Sequence, residues 1–259
     1  MEHTFVILAY GESRYLEECV QSIINQTQKS QVIIGTSTRN KHIERIAEQY
    51  HLPIIENPQP GMGLAADFDF GLKAGTTRFV TIAHQDDTYE PEYAEQILKY
   101  ATEDTIILFT DYHEVHKQGI VRENRNLKVK RLLLRPLECQ TLQKVKWIRR
   151  RILSMGNPIC CPSVTFHTEK VVAPVFVSDF KSNMDWCAWE RISKEKGRFV
   201  YIKQDLMMHR VHEESTTSEI IRENLRTAED YRMFCKFWPS WIAKRLAGMY
   251  AKSEENNEQ

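Results

Sequence analysis

A chain of 259 residues with a formal net charge of zero, 42% hydrophobic and 27% charged, is long enough for one large globular domain with an appendage. Balanced charge gives no global field for nucleic acid, so no nucleic-acid partner is expected and any basic patch has to be judged locally. The start Met1-Glu2-His3-Thr4 lacks the pattern of a secretory signal, no stretch reaches the roughly 20 apolar residues that span a bilayer, and six scattered cysteines without CxxC spacing suit reduced, largely buried thiols in a cytoplasmic protein.

Residues 4–9 form a continuous apolar run, as expected of a strand covered on both faces. Tyr10-Gly11-Glu12-Ser13 makes the turn, with Ser13 placed to cap the helix that Leu16, Cys19, Val20, Ile23 and Ile24 mark at helical spacing. A second strand is read over Gln31 to Gly35, a second helix from Ile43, Ile46, Ala47 and Tyr50, and a third strand over Leu52 to Ile55. A loop punctuated by Pro58, Pro60, Gly61 and Gly63 leads to a helix from about Leu64 to Ala74. Then comes the run Phe79 to Ala83, which ends in His84-Gln85-Asp86-Asp87-Thr88-Tyr89 before Pro91, read as the first residue of the next helix. A core strand that ends in adjacent carboxylates brings like charges together, which a hard divalent cation would neutralise; a solvated, helix-capping turn is the plainer reading. Alternating strands and helices of this length predict βαβ units and a parallel sheet, with ligands at the strands' carboxyl ends. The loops at 10–13, 35–40 and 84–89 all fall there.

The strand Thr105 to Thr110 continues the pattern, which breaks after Tyr112. Residues 128–153 carry nine Lys or Arg against the single acid Glu138, and residues 233–250 mix aromatics with Lys236, Lys244 and Arg245. Each stretch reads either as a helix packed on its own domain or as a surface meeting phosphate or an anionic leaflet. The tail 253–259 has a disordered composition.

These pieces match a known pattern. Val6 to Glu12, Leu16 to Thr27, Gly61 to Gly71, His84 to Asp87, Asn157 to Ser163, Asn183 to Trp186, and Arg210-Val211-His212 with Ser215 beyond stand in the order and spacing of a family. Over roughly residues 4–215 the chain resembles the family 2 glycosyltransferases of bacterial polysaccharide assembly. The resemblance implies an α/β, GT-A-like (Rossmann-like), mostly parallel sheet flanked by helices, with a helical C-terminal extension. It divides the chain into a catalytic domain at 1–215, its nucleotide-binding part about 1–112 and its acceptor part about 113–215, followed by a helical segment and disordered tail at 216–259.

The resemblance also implies inverting transfer of a sugar from a nucleotide donor, a uridine diphosphate sugar first, to a saccharide or lipid-linked saccharide. It places Ala9, Tyr10, Glu12, Thr36, Asp69, Gln85 and Asp86 against the nucleotide, Asp86 on a metal, Asp185 as general base, and His212 near the diphosphate. Three departures stand out. His84 replaces the first acid of the usual DxD motif, the second strand ends Gly35-Thr36-Ser37 without an acid, and Asp69 stands where Asn is common.

Chemistry adds to this reading. Asp86, with His84 or His212 assisting, is suited to Mn²⁺ or Mg²⁺ beside a diphosphate leaving group. Trp186 and Trp189 are read as shielding Asp185 and holding a sugar ring, with Trp186 and Asp87 on the acceptor side, although Asp185 can also be a helix N-cap and Asp87 a helix-start charge. Arg210 and His212 fall on one strand face and are read as phosphate-binding. A peripheral membrane contact through 128–153 and 233–250, at the inner face of the cell membrane, follows if the acceptor is lipid-linked, and the oligomeric state is open. The rivals are a nucleotidyltransferase, against which the absence of a basic Gly-rich loop after the first strand argues, and a nucleotide-sugar-binding protein without catalysis.

Overall fold

The computed structural model describes residues 1–176, 179–212 and 225–255. Its first four strands, β1 (His3–Ala9), β2 (Gln31–Thr36), β3 (Ile54–Glu56) and β4 (Phe79–His84), run parallel in the order β3-β2-β1-β4. Helices α1 (Leu16–Ile24), α2 (Lys41–Tyr50) and α3 (Leu64–Ala74) make the crossovers. β1 has no solvated face because Phe5, Ile7 and Ala9 pack with α1 and α2 while Val6 meets Phe68 and Leu72 of α3. Gly71 lets α3 approach, since a Cβ there would sit 3.0 Å from Leu8 Cδ2. α2 starts on a side-chain cap, Asn40 accepting from the Ile43 N–H, whereas α1 has none, and Ser13 Oγ accepts only from the Tyr15 N–H ahead of it.

The parallel part is one half of a mixed sheet. After β5 (Thr88–Tyr89) and α4 (Tyr93–Tyr100) comes the long strand β6 (Thr105–His116), with β7 (Gly119–Val121) folded back on it. Helices α5 (Arg125–Leu134) and α6 (Lys146–Leu153) lead to β8 (Val164–His167), which inserts antiparallel between β4 and β6. α7 (Met184–Ile192) precedes β9 (Arg198–Arg210), which runs parallel to β6 and antiparallel to β5. The chain then ends in α8 (Leu225–Cys235) and α9 (Ser240–Glu255).

Several expectations shift. Pro91 precedes α4 by a turn instead of opening it, and the strand begun at Thr105 continues to His116. Helix α9 takes in residues 253–255 of the tail; Ser215, the boundary at 215–216 and residues 256–259 lie outside the described residues. The six cysteines are free, but Cys139 and Cys235 are exposed. The basic stretch is two separate helices whose charges are largely committed. Arg131 pairs with Asp111 at 2.6 Å, Arg150 with Glu190 at 2.8 Å, and buried Arg149 donates to the carbonyls of Ser193 and Gly197 at 2.7 Å each. In the C-terminal pair, Phe234 and Tyr250 pack on Trp186 at 5.1 and 6.0 Å, so the aromatics of this segment are in good part core.

His3 lies wholly buried in the sheet, its ring nitrogens 2.8 Å from Ser30 Oγ and 2.8 Å from Thr81 Oγ1. Burial pushes the imidazole down from 6.5 to about 3. The unfolded chain therefore takes up this proton first, so the neutral ring's contribution is intact above pH 6.5 and is lost as pH falls toward 3. Acid denaturation of the wild type should steepen in that window, by up to about 1.4 kcal/mol per pH unit, and His3→Gln should flatten it. Denaturant midpoints at pH 7, 6, 5 and 4 check this.

Candidate active site

In the sheet register Leu8 stands opposite His84 and Ala9 opposite Thr36, so β1, β2 and β4 end side by side. The loops that leave them interlock. The Tyr10 N–H donates to Gln85 Oε1 and Gln85 Nε2 returns a bond to the Tyr10 carbonyl, both 3.0 Å, leaving the Tyr10 ring 66% exposed. Gly11, at φ 61°, donates to Thr38 Oγ1 at 2.7 Å and its carbonyl accepts from Asn40 Nδ2 at 2.9 Å. Glycine suits that left-handed turn. Thr36 is buried, and its hydroxyl accepts from the Thr38 N–H.

β5 pairs with β9 through Thr88↔Met208 and Tyr89↔Met207, and this stitch returns the end of β9 to the acidic turn. There Asp87 is fully buried. Its Oδ1 accepts from the Arg210 N–H at 2.8 Å and lies 3.1 Å from His209 Nδ1, while Oδ2 faces His84 Nδ1 at 3.7 Å. Burial pushes the Asp87 carboxyl up, but the His209 charge and hydrogen bond, His84 and the Arg210 N–H bring it below the usual carboxylate range. His209 loses by burial and gains more from Asp87, ending raised. His84 is lowered by burial against the pull of Asp87 and Asp86, and so is a neutral imidazole, able to act as a ligand.

Asp86 keeps part of its surface, with Oδ2 at 2.9 Å from His212 Nε2. Arg210 is committed differently from the expectation. Its Nε donates to the Asp86 carbonyl at 3.0 Å, Nη2 reaches Glu18 at 2.6 Å, and the guanidinium lies 4.4 Å from the Tyr15 ring centroid. Arg210 and His212 thus converge on Asp86, and Arg210 works as a clamp on the turn. Ligand atoms of His84, Asp86 and Asp87 lie within 4.8 Å of one another. His84 Nε2 and Asp87 Oδ2 are buried without a hydrogen-bond partner, the condition in which a metal ligand is found before its ion arrives. One imidazole and two carboxylates suit Mn²⁺, and less closely Mg²⁺.

Asp185 sits in the first turn of α7, where its carboxylate accepts from Asn157 Nδ2 and from the Trp186 N–H, both at 2.7 Å. Burial raises its carboxyl, against the hydrogen bonds from the Trp186 N–H and Asn157. α8 fixes the approach to α7, because Glu229 accepts from the backbone N–H groups of Lys181, Ser182 and Asn183 at 2.7, 2.8 and 3.0 Å.

Three expected roles are corrected. Trp186 is fully buried, donates its indole N–H to the Leu153 carbonyl at 3.0 Å and packs on Phe234, so it is core and cannot hold a sugar; Trp189 is equally buried. Asp87 is an internal clamp and presents no surface to an acceptor. Asp69 is buried and accepts from the backbone N–H groups of Val175 and Phe176. In its place Asp67, one helical face round, accepts from Asn57 Nδ2 at 2.7 Å and Ser37 Oγ at 3.2 Å, beside the ends of β2 and β3. Sequence reasoning missed Asp67, yet helical spacing points to it, since Asp69 shares its face with buried Phe68 and Leu72 while Asp67 does not. Glu12 lies in the interlocked loop, and Lys130 of α5, also missed, donates to Tyr112 Oη at 2.7 Å and adds positive charge near Asp185.

Residues 4–157 match the sequence profile of glycosyl transferase family 2. The chain is similar to EpsH of Bacillus subtilis, 28% identical over 115 residues that make up 42% of this chain and 33% of that protein. It is also similar to an uncharacterised glycosyltransferase of Haemophilus influenzae, 24% identical over 234 residues, 86% of this chain and 70% of that protein. The span shared with EpsH is thus only a third of EpsH's own length. Among solved structures, S. aureus TarS 1–349 in complex with UDP-GlcNAc superposes at a TM-score of 0.65 with 14% identity, covering 95% of this chain and 70% of that one. The mannosyltransferase PcManGT of Pyrobaculum calidifontis, in complex with GDP-Man and Mn²⁺, gives 0.63 and 15%, covering 96% and 69%. At such identities the likeness establishes the fold, a GT-A glycosyltransferase architecture.

Asp87→Ala removes the acceptor for a half-buried imidazole and a backbone N–H at once, and should destabilise the protein by roughly 3 kcal/mol. Asp87→Asn keeps an acceptor and should lose clearly less. Thermal unfolding of the two variants side by side makes the comparison, and equal losses would remove the clamp role.

Proposed function

The chain belongs to glycosyl transferase family 2, and we propose that it transfers a sugar, with inversion, from a nucleoside diphosphate donor to a hydroxyl of a saccharide or lipid-linked saccharide acceptor in cell-surface polysaccharide synthesis. The observation that carries the proposal is the His84, Asp86 and Asp87 cluster at the carboxyl end of β4, beside the loop that leaves β1, with Asp185 held separately by Asn157 as the candidate base. Uridine diphosphate is the first nucleotide to test, in line with the TarS complex with UDP-GlcNAc.

On this reading the Tyr10 ring is free to lie along a base, while the Tyr10–Gln85 bracket holds its backbone still. Thr38 and Asn40 fix the loop that carries Glu12, and Asp67 offers a carboxylate oriented by Ser37 and Asn57 to nucleoside donors. A divalent cation held by His84, Asp86 and Asp87, with His212 behind Asp86, would neutralise the diphosphate as the glycosidic bond breaks. Asp185 accepts the proton of the attacking hydroxyl. Its raised carboxyl makes it a stronger base near neutral pH than an exposed aspartate, and Asn157 sets the direction of its lone pairs. The scissile bond then breaks on the face opposite the nucleophile, which is inversion.

Calorimetric titration of uridine diphosphate should give Mn²⁺-dependent binding that Asp86→Ala abolishes. Binding indifferent to both metal and Asp86 would remove the metal assignment and leave the nucleotide site standing. Asp185→Asn should leave that binding intact and lower kcat by about 10²- to 10⁴-fold with any active donor, as loss of a general base does. A mutant with unchanged kcat would remove Asp185 from the chemistry.

A further inference from the structure

Helix α6 carries no acid, and neither does α9 from Ser240 to Ala251. The two helices share one edge of the molecule. The Arg150 and Arg151 guanidiniums lie 5.4 and 4.6 Å from the ring centroids of Phe237 and Trp238, and the Trp238 indole N–H donates to the Ser154 carbonyl at 2.8 Å. Trp147 lies one turn before Arg151 and so shares its side of α6. Trp241 follows Trp238 by three residues and opens the exposed stripe of α9, where Ala243 and Ala247 face inward.

That edge is unfinished as a protein interior. Trp147 is 68% exposed and Trp241 72%, and Met249, two turns further along α9, is 62% exposed. Arg151 follows Trp147 by one turn on α6, and Lys244 and Arg245 follow Trp241 within about a turn on α9; among the described residues none of the three has a carboxylate partner, whereas neighbouring Arg150 is held by Glu190 at 2.8 Å. Two solvated indoles and a methionine among unpaired cations contribute nothing to the core that Trp186, Phe234 and Tyr250 already complete.

We propose that Trp147, Arg151, Trp241, Lys244, Arg245 and Met249 form the surface by which this protein lies on an anionic lipid bilayer. Indoles sit well at the headgroup level, where the ring is half apolar and its N–H stays wet, and each nearby cation is drawn to an anionic leaflet. A second copy meeting this edge about a two-fold axis would set like charges against like, which disfavours self-association. No helix among the described residues is long and apolar enough to cross a membrane, so contact is peripheral. The proposal rests on the surface alone and stands apart from the sugar-transfer reading.

The test is flotation of the full chain with vesicles of phosphatidylcholine alone and of equal parts phosphatidylcholine and phosphatidylglycerol. The protein should float with the anionic vesicles only, and added salt should release it. Lys244→Glu with Arg245→Glu, and separately Trp147→Ala with Trp241→Ala, should each weaken binding at least about tenfold while the thermal midpoint stays near wild type. A wild type that stays down with anionic vesicles, or double variants that float as well as it does, overturns the proposal. Concentration-dependent dimers that the tryptophan variants dissolve, without flotation, would reassign the edge to a second copy and overturn it too. Nucleotide titration of the same samples reads the sugar-transfer proposal independently.

Discussion

The buried carboxylate of Asp87 is the contact on which the candidate site depends. A charge removed from water has to be matched, and here one oxygen takes the His209 ring and the Arg210 N–H while the other faces His84 at 3.7 Å without a hydrogen bond. The match locks the end of β9 against the exit of β4, two strands that the sheet order separates by β8 and β6. Once the end of β9 is fixed, Arg210 and His212 reach Asp86 through its carbonyl and its carboxylate respectively. Asp86 can then remain partly solvated and still hold one orientation. Adjacent aspartates in the same turn thus divide the work, the buried one holding the frame and the partly exposed one open to solvent.

Asp185 is held by a separate part of the chain. Its helix starts where Glu229 gathers three successive backbone N–H groups and where Asn183 Nδ2 donates to Asp230 at 2.7 Å. Asn157 orients the carboxylate itself, and the Tyr250 ring lies against Gly156 next door, whose φ of 144° and close approach leave no room for a side chain. The family profile ends at residue 157, so the scaffold of the proposed base lies beyond it, in α7 and the C-terminal helix pair. Removing those helices would free a helix start that local sequence alone does not hold, since α7 has no side-chain cap of its own.

What could be read from the sequence divides along the same line. The parallel half of the sheet was legible because β1 and β4 are continuous apolar runs and their loops fall at the carboxyl ends, a local pattern with one structural solution. The antiparallel insertion of β8 and the length of β6 were not, because both depend on pairings with strands distant in sequence. Asp86 lies in one cluster with His84 and within 2.9 Å of His212 Nε2. Trp186 misled because an aromatic next to a candidate base reads the same whether it faces a ligand or the core, and only the placement of Phe234 and Tyr250 decides between them. The absent acid at the end of β2 is a related case. No residue of 35–38 supplies one, yet Asp67 brings a carboxylate to Ser37 from α3, across the sheet edge.

On the proposed reading, charge sets how these residues would meet a phosphate-bearing ligand despite so many acids. Asp86, the buried Asp87 and Glu18 stand at or beside the acidic turn, against Arg210 and a raised His209, while Asp185 feels the charges of Arg226 and Lys130. Arg210 is already spent on Glu18 and the Asp86 carbonyl, and His209 on Asp87. What remains at the mouth is the partly solvated Asp86 beside a neutral His84, a spot that repels a diphosphate and attracts a cation. On the proposed reading a nucleoside diphosphate would gain affinity here in proportion to the positive charge that arrives with it, and replacing His84 by a third carboxylate would strengthen the hold on the cation while adding to the charge the diphosphate has to face.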